Sequence, residues 1–504
     1  MNEQIPFRTR FAPSPTGRFH IGGARTALYD YLLAKQSAGQ FILRIEDTDQ
    51  KRYIPGAEEE LMNGLRWLGL QWDEGPDIGG AYAPYRQSER KEIYLHYAQE
   101  LMQRGYAYRC FCTPQRLANM RTEQQARKES LHYDSTCRNL APAEAERRAA
   151  QGEAHVIRFK MPREGSIIAQ DALRGDIQVE NHNLDDYILV KSDGLALYHL
   201  ASLVDDHLME ITHVLRGSEW LPTFPLHAHI CRAFGWKEPV WAHLSVFLKP
   251  SGKGKMSKRD ATQNDGFSIF VTDLEGMGFL PEAVINWVAL MGWGVTEKVG
   301  AIQSDVYTMQ DLIRLFSLEH LNPSAAAINI PKMDHFNGEH IRHLSQEELT
   351  QCLIPIFEKA GFDLQSQENI ALLRRVVPII QIRITILDDA IDMAGFFFRK
   401  EVHPSLEQLI GKNMTAAGTA AAAKQAYDLL TSLSNINAGT AEAPLRALAE
   451  ELGLSVGQFF GILRIAISAQ AVSPPLFESM EIIGKDIVLA RIQKAILILE
   501  GRQL

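Results

Sequence analysis

The stretch RTRFAPSPTGRFHIGGARTAL, residues 8–28, constrains the fold more than any other part of the chain. RTRFA reads as a short strand, and GGARTALYDYLLAKQSA as an amphipathic helix; Pro13, Pro15 and Gly17 sit in the loop between them. The prolines fix φ and stiffen that loop. Gly17, Gly22 and Gly23 permit close backbone approach and unusual dihedrals. FILRIED then supplies a second strand ending in acids. Strand–helix–strand order with short connections implies parallel strands and a right-handed crossover. A helix entered in this way aims its N-terminal amides into a cleft, which suits a phosphate. His20, at that entrance, reads either as a core histidine satisfied within a tight turn or as a ligand contact.

At 504 residues the chain exceeds what one hydrophobic core supports, so several domains are expected. The remaining first hundred residues carry two more helical segments, AEEELMNGLRWLGL and RKEIYLHYAQELMQRG. Between 110 and 197 the pattern shifts to short strands such as HVIRFKM and YILVKS among charged turns, an inserted α+β module. Beyond about 330 the periodicity is almost entirely helical. A net charge of −9 gives no bulk support for nucleic-acid binding, although a local basic face is compatible with it. The N-terminus lacks the pattern of a signal peptide and no apolar run is long enough to span a bilayer, so a cytoplasmic protein without a membrane partner is expected. Five cysteines in such a chain argue against a disulfide framework.

A second constellation is SGKGKMSKRDA at 251–261. Lys255 and Lys258 flank Met256-Ser257, with Gly252 and Gly254 loosening the loop. Such a cationic loop could be a solvated charge run, or it could close over a polyphosphate and offset charge in a transition state. Its co-occurrence with His20-Ile21-Gly22-Gly23 decides between these. The two segments resemble the paired signatures of class I aminoacyl-tRNA synthetases. RFAPSPTGRFHIGGARTAL, LRIEDTD, LVDDHLMEITHVLRGSEWL and GFLPEAVINWVALMGWG narrow the resemblance to the bacterial glutamyl-tRNA synthetases. It runs nearly end to end, through LRALAEELGL and FESMEIIGKDIVLARI.

The resemblance implies a Rossmann-type α/β catalytic domain with a parallel sheet, split as 1–109 and 198–250 around an α+β acceptor-stem insertion at 110–197. The loop and a helical stem-contact domain occupy 251–330, and an all-helical anticodon-binding region 331–504. It also implies that glutamate is joined to the α-phosphate of ATP, with Mg2+ in the substrate complex, and then passed to the terminal ribose of tRNA-Glu. His20, Lys255 and Lys258 would be catalytic, and Gly17, His20, Gly22, Gly23, Lys258 and Arg259 would bind ATP. Arg10, Ala12, Ser14, Glu46, Tyr198, Ser202 and Arg216 would form the glutamate pocket, Arg216 facing the side-chain carboxylate as a bidentate guanidinium. Without the motifs each arginine reads as an ordinary ion pair. Arg383 falls where the family places an arginine that reads the last anticodon base. A monomer is expected.

Cys110-x-Cys112, followed at a distance by Cys137, has the spacing of a structural zinc site. Asn139 stands where a histidine would complete a Cys-x-His pair, so Tyr133 or the adjacent His132 is left to serve as fourth ligand. The alternative is three buried free thiols. Arg104, Arg109, Arg116, Arg121, Arg127 and Lys128 could meet tRNA phosphates or simply be a solvated face. The helical C-terminal third separates the chain from glutaminyl enzymes and from truncated glutamyl-queuosine relatives. Three further readings stay open: an enzyme that also charges tRNA-Gln, a non-catalytic tRNA-binding paralogue, and a small-molecule nucleotidyltransferase.

Overall fold

The structure, a computed structural model, describes residues 6–256, 268–294 and 305–502. The chain divides into two compact units, Met1–Leu274 with Val284–Ile330, and Glu275–Ala283 with Pro331–Leu504.

The first unit is built on the expected strand–helix–strand. β1 (Arg8–Phe11) pairs in parallel with β2 (Gln40–Leu43), from Arg8 opposite Gln40 to Phe11 opposite Leu43. Between them α1 (Ile21–Gln36) buries Ile21, Leu28, Tyr29, Leu32 and Leu33, so it is covered on more faces than an amphipathic surface helix would be. One side rests on β1 and β2, and the other is closed by the segment after residue 308, where Phe316 meets the Tyr29 ring at 5.2 Å. Leu28 and Leu32 have no exposed surface, and burial of each contributes about 1.5–3 kcal/mol.

The helices α2 (Ala57–Trp67) and α3 (Lys91–Gln103) follow. The insertion begins with β3 (Ala107–Cys110), which pairs antiparallel with β4 (Val156–Phe159); β4 in turn pairs with β7 (Ile188–Val190). The helices α4 (Pro114–Ala126) and α5 (Pro142–Ala150) lie between β3 and β4. A hairpin of β5 (Ser166–Asp171) and β6 (Gly175–Glu180) comes next. After α6 (Tyr198–Leu208) the chain forms β8 (His213–Gly217), α7 (Phe224–Phe234) and β9 (Val240–Leu244), with β8 and β9 parallel. β5 runs parallel to β9 at Asp171 and Trp241, giving a sheet in the order β6-β5-β9-β8. Beyond its other edge lies β1, where the Thr212 amide donates to the Arg8 carbonyl at 2.9 Å. The hairpin is thus hydrogen-bonded into the sheet that carries β8 and β9.

Arg10, Arg44, Arg216 and Ser245 sit at or just past the carboxyl ends of the parallel strands, where open α/β sheets place their ligands.

The second unit is helical, and no strand occurs among its described residues. Capping boxes at Ser345/Glu348, Asn437/Thr440 and Ser455/Gln458 satisfy the first amides of three of its helices. Its core is a continuous apolar cluster that includes Leu349, Phe357, Leu373, Val376, Phe459, Leu463 and Ile492. Arg491, buried in it, donates to the carbonyls of Ile467, Phe396 and Arg399. Among the described residues no single helix is long and apolar enough to cross a membrane.

Candidate active site

A cleft of about 610 Å³ opens at the carboxyl ends of the strands in the first unit. Its walls bring together Arg10, Ala12, Ser14, Gly17, His20, Gly22, Gly23, Glu46, Tyr198, Arg216 and Lys255. Residues 200 positions apart in the chain therefore share one site.

At the head of α1, His20 has extended backbone geometry and acts as the N-cap. Its Nδ1 accepts from the amides of Gly22 at 3.1 Å and Gly23 at 3.3 Å. Two donors on Nδ1 place the ring proton on Nε2. The Ile21 amide is spent on the Ile269 carbonyl at 2.9 Å. These first-turn amides are therefore satisfied within the protein, which corrects the expectation that they point bare into the cleft. The positive end of the helix reaches the cleft through the imidazole instead. The glycines are also explained differently. Gly22 and Gly23 are ordinary helical residues, and a Cβ on Gly22 would stand 3.0 Å from the His20 ring. A Cβ on Gly23 would stand 3.1 Å from the Phe19 ring. Close approach, not unusual dihedrals, requires them; Gly17, with φ 155°, is the position where backbone freedom is used.

Arg10, on the cleft wall, is paired with an acid. Its Nε donates to Asp206 at 3.0 Å and one terminal nitrogen to the Leu215 carbonyl at 3.3 Å. Asp206 also binds Arg44 at 2.8 Å, and Arg44 reaches Glu46 at 3.0 Å. Next to them Asp205 takes Arg90 at 2.7 Å, Gln87 at 2.9 Å and Tyr94 at 2.8 Å. Burial works against charge on Asp206, yet Arg10 and Arg44 hold its carboxyl below the usual range. For Glu46 burial wins, and its carboxyl is raised.

Arg216, on the same wall, has neutral partners. Nε donates to His243 Nε2 at 2.9 Å, and one terminal nitrogen bonds the Tyr198 hydroxyl at 3.1 Å and His227 Nδ1 at 2.9 Å. The guanidinium lies 4.7 Å from the Trp241 ring centre. The second terminal nitrogen, Nη2, is buried with no hydrogen-bond partner among the described residues, and no carboxylate pairs with Arg216 there. Tyr198 is itself fixed by stacking on Trp220, with centroids 3.8 Å apart.

The residues 6–335 match the family model for the catalytic domain of class I tRNA synthetases (E and Q), and 348–496 match an anticodon binding domain. The chain is 43% identical over 504 residues to the glutamate–tRNA ligase of Roseiflexus sp. (strain RS-1), covering 98% of this chain and 96% of that protein. The chain belongs to the glutamate–tRNA ligase family. It is also 41% identical to the ligase of Dehalococcoides mccartyi (strain ATCC BAA-2266 / KCTC 15142 / 195) over 490 residues, 97% of each chain. A crystal structure of a glutamate–tRNA ligase from Elizabethkingia meningosepticum, in complex with its amino acid, superposes with a TM-score of 0.88 at 37% identity, covering 98% of this chain and 100% of that one.

The other residues expected of a family member fall as follows. Lys258 and Arg259 lie outside the described residues, but the chain enters and leaves that stretch at the cleft. Met256 bonds the Phe247 carbonyl at 2.8 Å, and Ile269 takes the Ile21 amide. Lys255 is exposed on the cleft wall. Ser202 does not line the cleft; it is buried, 3.4 Å from Arg44. Arg383 is exposed in the second unit, just after the helix Gln367–Ile380.

Cys110, Cys112 and Cys137 converge, with ligand atoms within 4.8 Å of one another. Cys112 and Cys137 sulfurs are 3.7 Å apart. Thiolates 2.3 Å from a tetrahedral zinc would stand about 3.8 Å apart. The Tyr133 hydroxyl lies 3.3 Å from Cys110 and 3.4 Å from Cys112. His132 turns its ring to the Ser130 carbonyl instead, so of the two neighbours it is Tyr133 that lies at this cluster. The donor set is compatible with zinc. The nearby basic residues have partners: Arg109 pairs with Glu146, Arg116 with Asp134 and Arg127 with Glu129.

Sequence pattern carries little trace of the partners that hold the two pocket arginines. Asp206 stands in LVDDHLMEI, where a second acid beside Asp205 is its only signal. His227, His243 and Asp171 carry none, standing on separate elements.

Proposed function

We propose that the chain activates glutamate with ATP and charges tRNA-Glu. A glutamate α-carboxylate oxygen attacks the α-phosphorus of ATP, and the bond to the β-phosphate breaks, releasing pyrophosphate. A hydroxyl of the terminal ribose of tRNA then attacks the glutamyl carbonyl and AMP leaves. The observation that carries this reading is Arg216, a buried cation without a carboxylate partner among the described residues, in the same cleft as His20. Burying a guanidinium is costly unless an anion completes it, and the glutamate side chain would be that anion.

In this reading Arg10, Ala12, Ser14, Glu46 and Tyr198 enclose the amino acid, with Ser202 bracing Arg44 from behind. Gly17, Gly22 and Gly23 leave room for the nucleotide, and the His20 Nε2 proton faces the α-phosphate as charge builds there. Lys255, Lys258 and Arg259 offset the departing pyrophosphate, whose Mg2+ comes with the nucleotide. Both substrates bring their own nucleophiles, so the protein positions them and stabilises charge.

We assign acceptor-stem contacts to 110–197, stem contacts to the segment up to 330 and anticodon contacts, Arg383 among them, to 331–504. Cys110, Cys112, Tyr133 and Cys137 would hold a zinc ion that cross-links the insertion. The chain is read as a cytoplasmic monomer. Aminoacylation with glutamate on purified tRNA-Glu and tRNA-Gln tests the function: charging of tRNA-Glu is expected. Charging of both would make the enzyme non-discriminating, and charging of neither would refute the reading.

A further inference from the structure

Arginine only donates hydrogen bonds, so each nitrogen that Arg216 touches must offer a lone pair. His243 Nε2 is therefore unprotonated, and its ring proton sits on Nδ1, 2.5 Å from Asp171 Oδ2. Asp171 is fixed in turn, accepting from the amides of Leu173 and Arg174 at 3.0 Å. His227 Nδ1 is likewise a lone pair, which puts its proton on Nε2, 3.0 Å from His199 Nδ1. His243 and His227 have no exposed surface. Burial lowers all three imidazoles, His199 to about 4 and His227 well below its ordinary value; Asp171 only partly opposes this at His243. A doubly protonated ring could not accept from Arg216 at all.

We infer that His243, oriented by Asp171, and His227, oriented by His199, are positioning residues that set the specificity of the pocket by holding Arg216 through lone pairs rather than negative charges. The guanidinium is located as rigidly as in an ion pair, but its charge stays available to the substrate. A carboxylate in either place would hold Arg216 equally well and neutralise it, and glutamine would then compete more evenly with glutamate. This rests on the glutamate reading above, and it assigns a role to residues that never touch the amino acid.

The test is the pair His227→Asn and His227→Asp, which differ in charge but not in shape. Each places Oδ1 where Nδ1 stands, and each removes the same ring volume, so packing losses are shared. Among the described residues the charged and titratable groups that act on His227 are Arg216, His199, His243 and Arg10, with the Tyr198 ring 5.7 Å from its own. His227→Asn is expected to raise the glutamate KM a few-fold. His227→Asp should raise it at least tenfold further, with the ATP KM unchanged and the preference for glutamate over glutamine reduced. Equal glutamate KM and equal discrimination in the two variants would overturn the inference. Should His227→Asp fail to fold, Asp171→Asn serves. It presents an amide donor to Nδ1, turns the Nε2 proton toward Arg216, and should raise the glutamate KM while leaving that for ATP. A glutamate KM like that of the wild type would overturn the inference there too. Wild-type enzyme inert toward glutamate would refute the proposed function itself, a result distinct from both.

Discussion

The two arginines of the cleft differ in what surrounds them. Arg10 belongs to a closed network in which Arg10, Arg44 and Arg90 face Glu46, Asp205 and Asp206. Arg216 rests on two imidazoles, a phenol and an indole face. In the first region the protein supplies the counter-charge, so the arginine is part of the scaffold and offers a substrate only its remaining hydrogen bonds. In the second the counter-charge is left for a ligand. Burial alone does not distinguish them, since both arginines are buried; the charge of the partners does.

Removing the hub of the closed network should produce the largest effect. Asp206→Ala leaves Arg10 and Arg44 buried without the carboxylate they share, and a stability loss of about 3–5 kcal/mol is expected, read from urea unfolding. A loss below about 1 kcal/mol would mean that water or Glu46 substitutes, and the scaffold reading would fail. Arg216→Ala should act the other way round. Its partners are neutral, so no uncompensated charge remains and melting should stay near that of the wild type. Its glutamate kcat/KM should fall roughly 30- to 1,000-fold, equivalent to about 2–4 kcal/mol. Equal losses of stability in the two variants would erase the contrast.

Acid gives the mildest test. The folded His199 titrates at about 4 and His227 well below its usual value, against about 6.5 for an unfolded histidine. Below about 6.5 the unfolded chain takes up protons that the folded chain refuses, so this contribution to stability falls as pH drops toward about 4. The carboxyl of Asp206 is held below the ordinary aspartate value, so its contribution is lost only at lower pH. The imidazoles that hold Arg216 should therefore protonate before Asp206 does, with glutamate KM rising only as pH approaches about 4, where folded His199 takes its proton. A flat KM through the onset of unfolding would contradict this order.

Much of this was legible in the residues. The strand–turn–helix at 8–28, the two signature loops and the helical C-terminal third each carry local pattern, and Arg10, His20 and Arg216 fell within recognisable runs. What escaped was pairing across the chain. Asp206 meets Arg10 over 196 positions and His243 meets Asp171 over 72, distances at which no periodicity or spacing reports a partner. Tautomers are equally silent: His227 in FPLHAHI gives no sign of which nitrogen will be asked to accept. Tyr133 was distinguishable from His132 only once the chain was folded, because adjacent side chains in an extended loop point different ways.

Asp171 ends a strand that by sequence belongs to the insertion, yet it pairs beside Trp241 and steadies His243. The inserted segment is therefore no detachable accessory. A trimmed chain lacking 110–197 would retain His20, Arg10 and Arg216, and we expect it to have lost the brace behind its amino-acid grip. The part assigned to the RNA and the part assigned to the amino acid share a strand pairing and one hydrophobic core, and neither can be redesigned alone.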